Sequence, residues 1–356
     1  MMMSDVFIMI QRLLRGQWLY LLLGTVVMVI YIAGVPIEPL TPVGEPTELV
    51  RLEEPLEWWP KEIDAAALQA AVNKQPLLGV LLSFLTVFVG GMMAGGLACS
   101  WWGVLSGRVW SIWAFSARRL PAWSFAELGR IIALTIIAFS LLPLLRFAPF
   151  LRALGLAPAS LLWVPLLMLL LDGFLVLTIF AFAAGKGRPA WKAVGLSTRR
   201  LLRSLAQGFT GYLVVFPWLF LLLFLTVELV RFFHLKPPLE PIQVLLFQQR
   251  DPLVIGLLVV LSCVIGPIAE ELFFRGVLFA AVRRRFRRGT AILFSGAAFA
   301  LIHTNPIGFL PIMLIGSLLA YLYERTGSLL SPIAVHILHN TLLMSIGLVV
   351  RRLLMQ

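Results

Sequence analysis

Glu270, Glu271 and Arg275 form E-E-x-x-x-R, Phe299 and His303 form F-x-x-x-H, and His336 and Asn340 form H-x-x-x-N, all inside apolar runs of a 356-residue chain. An ionisable side chain in the hydrocarbon region of a bilayer is costly unless it is paired or does chemistry. The chemistry open to these groups is water-mediated hydrolysis. A carboxylate with an imidazole can hold and deprotonate water, and imidazole and carboxamide groups can donate hydrogen bonds to an oxyanion. Glu271 and Arg275 lie at i and i+4, share a helical face and can pair, whereas Glu270 points roughly 100° away from Glu271. One glutamate is thereby neutralised and the other is left over. His336 and Asn340 also share a face, and His339, about 100° from Asn340 on the wheel, is the weaker candidate. Ser295 and Cys263 stand in no recognisable nucleophile motif.

These groups need elements that bring them to one depth. Glu270 precedes Arg283 by 13 residues and His303 follows Thr290 by 13. At about 1.5 Å per residue both lie ~20 Å from the turn between them. A short connection makes the two helices antiparallel, so the spacing predicts that Glu270 and His303 meet.

Composition supplies the setting. With 60% hydrophobic and 13% charged residues and a mean hydropathy of +0.95, the chain is far more apolar than a soluble domain. It reads as an all-α, polytopic membrane bundle of about eight or nine spans, each of the ~20 residues a bilayer requires. Candidate spans fall near 17–35, 77–104, 131–149, 161–185, 209–232, 253–282, 290–304, 309–323 and 331–350. The net charge of +12 comes from short basic clusters between apolar runs, which the positive-inside rule explains without nucleic acid. Arg12 and Arg15 precede the first span and no A-x-A exit follows it, so it reads as a retained anchor with a cytoplasmic N-terminus. Residues 36–76, rich in Pro and Glu, suit an external loop. Clusters around Arg108 to Arg130, Lys186 to Arg203 and Arg283 to Arg288 then fall on the cytoplasmic side. Nine spans place the C-terminus outside, while Arg351 and Arg352 favour the inside, so one of the short segments 290–304 and 309–323 is the candidate not to cross.

Three further features carry less. The stretch Trp101 to Trp123 interleaves tryptophan with arginine, as a segment at headgroup level does. Gly91 and Gly95 form a G-x-x-x-G that predicts a close helix contact. Asp172 lies within the fourth span, where it could serve a proton pathway, mark a local break before Gly173 or pair with Arg146. Without an internal repeat, a transporter is the weaker reading. Cys99 and Cys263 sit in apolar runs and suggest packing rather than a disulfide or a metal site.

The three motifs in this order resemble the CPBP family of CAAX-prenyl endopeptidases and bacteriocin-processing or immunity membrane proteins. The resemblance covers about residues 250–350, the expected catalytic membrane domain, and leaves 1–240 as an N-terminal membrane region of unassigned role. It implies a metal-independent intramembrane endopeptidase without a cofactor, in which Glu270 and His303 activate water, His336 and Asn340 form the oxyanion hole, and Glu271 with Arg275 orders the site. The implied partners are a peptide or lipidated protein and membrane lipid, in a plasma-membrane setting. Two competing readings come with it. Glu270, Glu271, His303 and His336 could hold zinc, although H-E-x-x-H is absent and Arg275 sets a cation one turn away. Family likeness also leaves room for a non-catalytic immunity, scaffold or peptide-binding protein.

Overall fold

The computed structural model describes residues 16–32, 69, 72–107, 120–153, 160–187, 189–198, 201–234, 245–247, 249–303 and 306–354. The N-terminal arginines, nearly all of the expected external loop 36–76 and residues 108–119 of the tryptophan-rich stretch lie outside the described residues.

Among the described residues the fold is a helical bundle without strands. Its elements are α1 (Gln17–Ile32), α2 (Pro76–Leu105), α3 (Phe125–Leu141, prolonged by a 3₁₀ turn Leu142–Phe147) and α4 (Pro149–Ala153). There follow α5 (Trp163–Ala184), α6 (Ala190–Val194) and α7 (Leu201–Phe232). The last four are α8 (Pro252–Arg283), α9 (Arg288–Ile302), α10 (Phe309–Thr326) and α11 (Leu330–Leu354). Six are long and apolar enough to cross a membrane: α2, α3 with its 3₁₀ turn, α5, α7, α8 and α11. The other three expected spans also form helices, but Leu19–Val29 and Arg288–Ile302 are short, and α10 ends on Glu324 and Arg325. By length and composition, the described residues thus give six candidate spans, and the count of eight or nine is not confirmed.

Local chemistry sets the boundaries. Ser124 and Glu127 close a capping box at the start of α3. Asp251 accepts from the Leu253 N–H, and Pro252 at the first position of α8 needs no donor. Gly327 ends α10 at φ 67°, a left-handed conformation that glycine adopts without penalty. Gly195 ends α6 at φ 94° and accepts the Leu329 N–H at 3.0 Å, which ties the start of α11 to the bundle.

The main core lies where α8, α9 and α10 meet α3, α5 and α6, around Trp123, Ile179, Phe274, Phe279, Phe299 and Tyr323. Trp123 is thus fully buried, with Lys186 Nζ 4.1 Å above its ring, and is not a headgroup anchor. Trp101 and Trp102 are exposed at the end of α2. The expected contact of Gly91 and Gly95 is made at the second glycine, where a Cβ would lie 3.5 Å from the Leu213 side chain, and is closest at the next residue, Gly96. A Cβ on Gly91 would meet nothing within 4 Å, while one on Gly96 would fall 2.2 Å from the Leu213 carbonyl oxygen. Pro217 lacks the N–H that this carbonyl would otherwise accept. Gly96 presses against the backbone that Pro217 leaves open.

Side-chain bonds link helix ends. Arg351 Nη2 donates to the Gln249 carbonyl at 2.5 Å and Arg352 Nε to Gln75 Oε1 at 2.8 Å. The end of α11 therefore lies beside the starts of α2 and α8. At the opposite end Arg284 donates to the Trp123 carbonyl, and Arg283 and Arg288 both donate to Glu324.

Candidate active site

Helix α8 carries both glutamates on six residues of regular α-helix, Gly266–Glu271, held between two π-helical segments, Leu261–Ile265 and Leu272–Phe279. The first π-segment has a cause in the sequence. The Gly266 N–H bonds to the Leu261 carbonyl, five residues back. In that register the Ser262 carbonyl would take the N–H of residue 267, and Pro267 has none. The freed oxygen accepts instead from Asn340 Nδ2 at 2.9 Å. A proline in α8 thus fixes the side chain of Asn340 on α11, and it leaves the second N–H of that amide for another acceptor.

Glu271 and Arg275 are both 0% exposed and pair at 2.6 Å between Oε1 and Nη1. Arg275 Nη2 also donates to the Gly316 carbonyl at 2.8 Å, and its guanidinium lies 4.7 Å from the centre of the Phe299 ring. That carbonyl is in reach because α9 and α10 touch at glycine: a Cβ on Gly316 would stand 3.1 Å from Gly296 Cα and from the Phe299 ring. A buried ion pair owes its tolerance to such extra hydrogen bonds.

Glu271 Oε1 also meets His336 Nδ1 at 2.9 Å. An ionised carboxylate only accepts, so Nδ1 bears the proton, and Nε2 faces the other glutamate, with Glu270 Oε2 at 3.6 Å. That separation suits one water touching both atoms. Glu270 is 31% exposed and Glu271 not at all. The two adjacent carboxylates occupy different environments on opposite sides of one imidazole.

The expected site residues converge, with one exception. Glu270, Glu271, Arg275 and His336 form a single polar network, and Asn340 sits one turn beyond His336. His303 caps the end of α9, with its Nδ1 2.8 Å from the Phe299 carbonyl. Among the described residues no ion pair joins it to Glu270. Phe299 connects it to the rest, because its ring packs against His303 at 4.7 Å and His336 at 5.5 Å between centroids. His339 is turned toward Tyr212, whose hydroxyl lies 3.0 Å from Nδ1. Among the described residues no three His, Cys, Asp or Glu side chains converge as a metal ion requires. The carbonyls of Ser262 and Gly316, which the motifs do not name, accept from Asn340 and Arg275. For the first, Pro267 inside an apolar helix was the available signal.

Residues 252–342 match the model of the family described as Type II CAAX prenyl endopeptidase Rce1-like. Over 87 residues the chain is 32% identical to a Bacillus subtilis (strain 168) protein named "Putative membrane peptidase YdiL", and that stretch is 24% of this chain and 36% of the relative. The chain thus spans about a third of the length of the curated relative it matches. No solved structure matches it. The matched segment contains both glutamates, Arg275, His303, His336 and Asn340. The chain is an integral membrane protein, and its residues 252–342 are similar to the CAAX prenyl endopeptidase family.

Proposed function

We propose that the chain is an intramembrane endopeptidase that hydrolyses a peptide bond of a membrane-associated or lipidated peptide with water activated by Glu270. The observation that carries this reading is the division of labour between adjacent glutamates. Glu271 is consumed by Arg275 and His336, while Glu270 keeps a partly open carboxylate 3.6 Å from His336 Nε2.

Glu270 takes a proton from water, and the hydroxide oxygen adds to the peptide carbonyl carbon. The carbonyl oxygen becomes an oxyanion facing the unused Asn340 N–H and His336 Nε2. Nε2 accepts from water while the ring is neutral, donates to the oxyanion once Glu270 passes it the proton taken from water, and hands that proton back to Glu270 before the amine leaves. Glu270 then returns its proton to the leaving amine as the C–N bond breaks. His303, across the Phe299 ring, is assigned to the water on the side away from His336. Glu271 and Arg275 hold His336 in its orientation and are positioning residues. The family match supports a peptide substrate in or at the membrane. Lipidation of that substrate and independence from metal belong to the proposal.

The test uses the full chain in detergent with two internally quenched peptides, one farnesylated at a C-terminal CAAX cysteine and one unlipidated, with and without a chelator. Cleavage that is lost in Glu270→Gln and indifferent to chelation is the expected result. Cleavage retained by Glu270→Gln would overturn the role of Glu270, and loss on chelation would turn the site into a metal centre.

A further inference from the structure

Asp172 is supplied by α5, outside the segment that matches the family. It stands near the middle of a membrane-spanning helix and is half-buried. A carboxylate there is costly without a partner, and among the described residues no cation pairs with it. Glu127, Arg146 and Arg275 on the neighbouring helices are engaged elsewhere. On α3, Glu127 bonds to Lys186 at 2.6 Å and Arg146 Nε donates to the Pro143 carbonyl at 3.1 Å. On α8, Arg275 is turned to Glu271 and Gly316.

What Asp172 faces is the catalytic segment. Its Oδ2 lies 3.9 Å from the position a Cβ would take on Gly266. Gly266 has no side chain to fill that space, and Glu270, four residues on, projects from the same face of α8. Positions i and i+4 stand about 5–6 Å apart between Cβ atoms, a span the Glu270 side chain can cross toward Asp172. Neighbouring like charges are relieved when one proton serves both groups.

We propose that Asp172 is a positioning residue that acts on Glu270, the two carboxylates sharing one proton so that the pair carries a single negative charge in the resting site. The proposal rests on reading Glu270 as the base and extends it to a residue outside the family segment. The pair begins with one proton and one charge, holds two protons after water is deprotonated, and regains its resting state when one passes to the leaving amine. Asp172 touches neither water nor peptide in this scheme. The shared proton holds the Glu270 carboxylate in place beside His336.

Infrared spectroscopy of the full chain reconstituted in phosphatidylcholine vesicles reads the proton directly and needs no substrate. At neutral pH the wild type is expected to show a carboxylic-acid C=O stretching band that is missing from Asp172→Asn, from Asp172→Leu and from Glu270→Gln. A band that survives in Glu270→Gln would mean that burial alone protonates Asp172. No band in the wild type would mean that no proton is shared, and either result overturns the proposal. Cleavage of the quenched peptides separates it from the reading beneath. Loss of the band in every variant with full cleavage by Glu270→Gln would leave the pair standing and remove the protease mechanism. In the reverse case, with Glu270→Gln inactive and its band intact, the protease reading stands and the pair falls.

Discussion

Helices α2 and α8, of 30 and 32 residues, are both strongly apolar, yet they are built for opposite purposes. Only 11% of the apolar window of α2 is buried within the protein, against 33% of that of α8. Helix α2 presents Leu77, Phe84, Val87 and Trp101 outward, as a helix bathed in lipid does. Helix α8 has an unbroken run of buried residues from Val277 to Val282, two π-segments and a fully buried arginine. Lipid exposure asks little of a sequence beyond apolarity. A polar network inside the bundle asks for partners at particular atoms, because unpaired groups there are costly. Substitutions in α8 and its contacts should therefore act on chemistry and stability together or separately according to the atom removed, and those in α2 should act only where backbones touch.

The largest expected effect is on activity. Glu270→Gln preserves shape and removes the base, so turnover of a quenched peptide should fall by ~10²- to 10⁴-fold. Thermal unfolding in detergent should barely change, since this side chain is partly exposed and makes no ion pair with an arginine. A parallel loss of stability would mean that Glu270 is a structural member of the network.

Arg275→Ala should do the reverse of leaving the fold intact. It strands Glu271, which is 0% exposed, and it frees the Gly316 carbonyl. Breaking a buried pair by removing one partner costs about 3–5 kcal/mol, which denaturation of the reconstituted protein would register. Unchanged stability would show that the pair contributes nothing to the fold.

Asn340→Ala tests the other half of the mechanism. If its second N–H faces the developing oxyanion, turnover drops by ~100- to 1,000-fold with little change in KM. A raised KM at constant turnover would make Asn340 a substrate-binding group. Pro267→Ala offers a finer probe of the same latch, because it restores an N–H to compete for the Ser262 carbonyl that now holds Asn340.

Much of this site could be read from residue spacing, because i and i+4 positions on a helix have few alternatives. The Glu271 and Arg275 pair follows from that rule alone, and so does the common face of His336 and Asn340. Equal depth along a hairpin put Glu270 and His303 at one level, but depth does not fix rotation about the helix axis. That is why a ring of Phe299, and not a direct bond, relates His303 to the rest. His336 bridging both glutamates was not legible either, since it depends on how α11 crosses α8. The same limit explains the tryptophans: interleaved arginine suggested a surface segment, and Trp123 is instead enclosed between Lys186 and the core. Apolarity located the nine helical segments well, while the number that cross rests on lengths that α1 and α9 do not reach among the described residues.

Glycine contacts give the smaller effects and set the two regions against each other directly. At Gly316 an alanine methyl would stand 3.1 Å from Gly296 Cα and from the Phe299 ring, beside the carbonyl that Arg275 binds. Overpacking of this kind costs about 1–3 kcal/mol, and here it should reduce cleavage as well, since it moves a ligand of the network. In the lipid-facing region, Gly96→Ala should cost a similar amount of stability, because its methyl would run into the Leu213 carbonyl and Pro217, and should leave cleavage unchanged in the surviving folded protein.

Gly91→Ala is the smallest change of all. Nothing lies within 4 Å of the added methyl, which would point to lipid. Alanine is also the better helix former by about 1 kcal/mol in water, so stability should hold or rise slightly. The pair of variants separates two explanations of the same motif. If Gly91 mattered as part of a G-x-x-x-G contact, its substitution would destabilise the fold as much as that of Gly96. If the contact is made only where Pro217 frees a carbonyl, Gly96→Ala alone should lower the unfolding midpoint, and Gly91→Ala should be indistinguishable from the wild type or slightly above it. Equal losses in the two variants would place a second helix surface against Gly91.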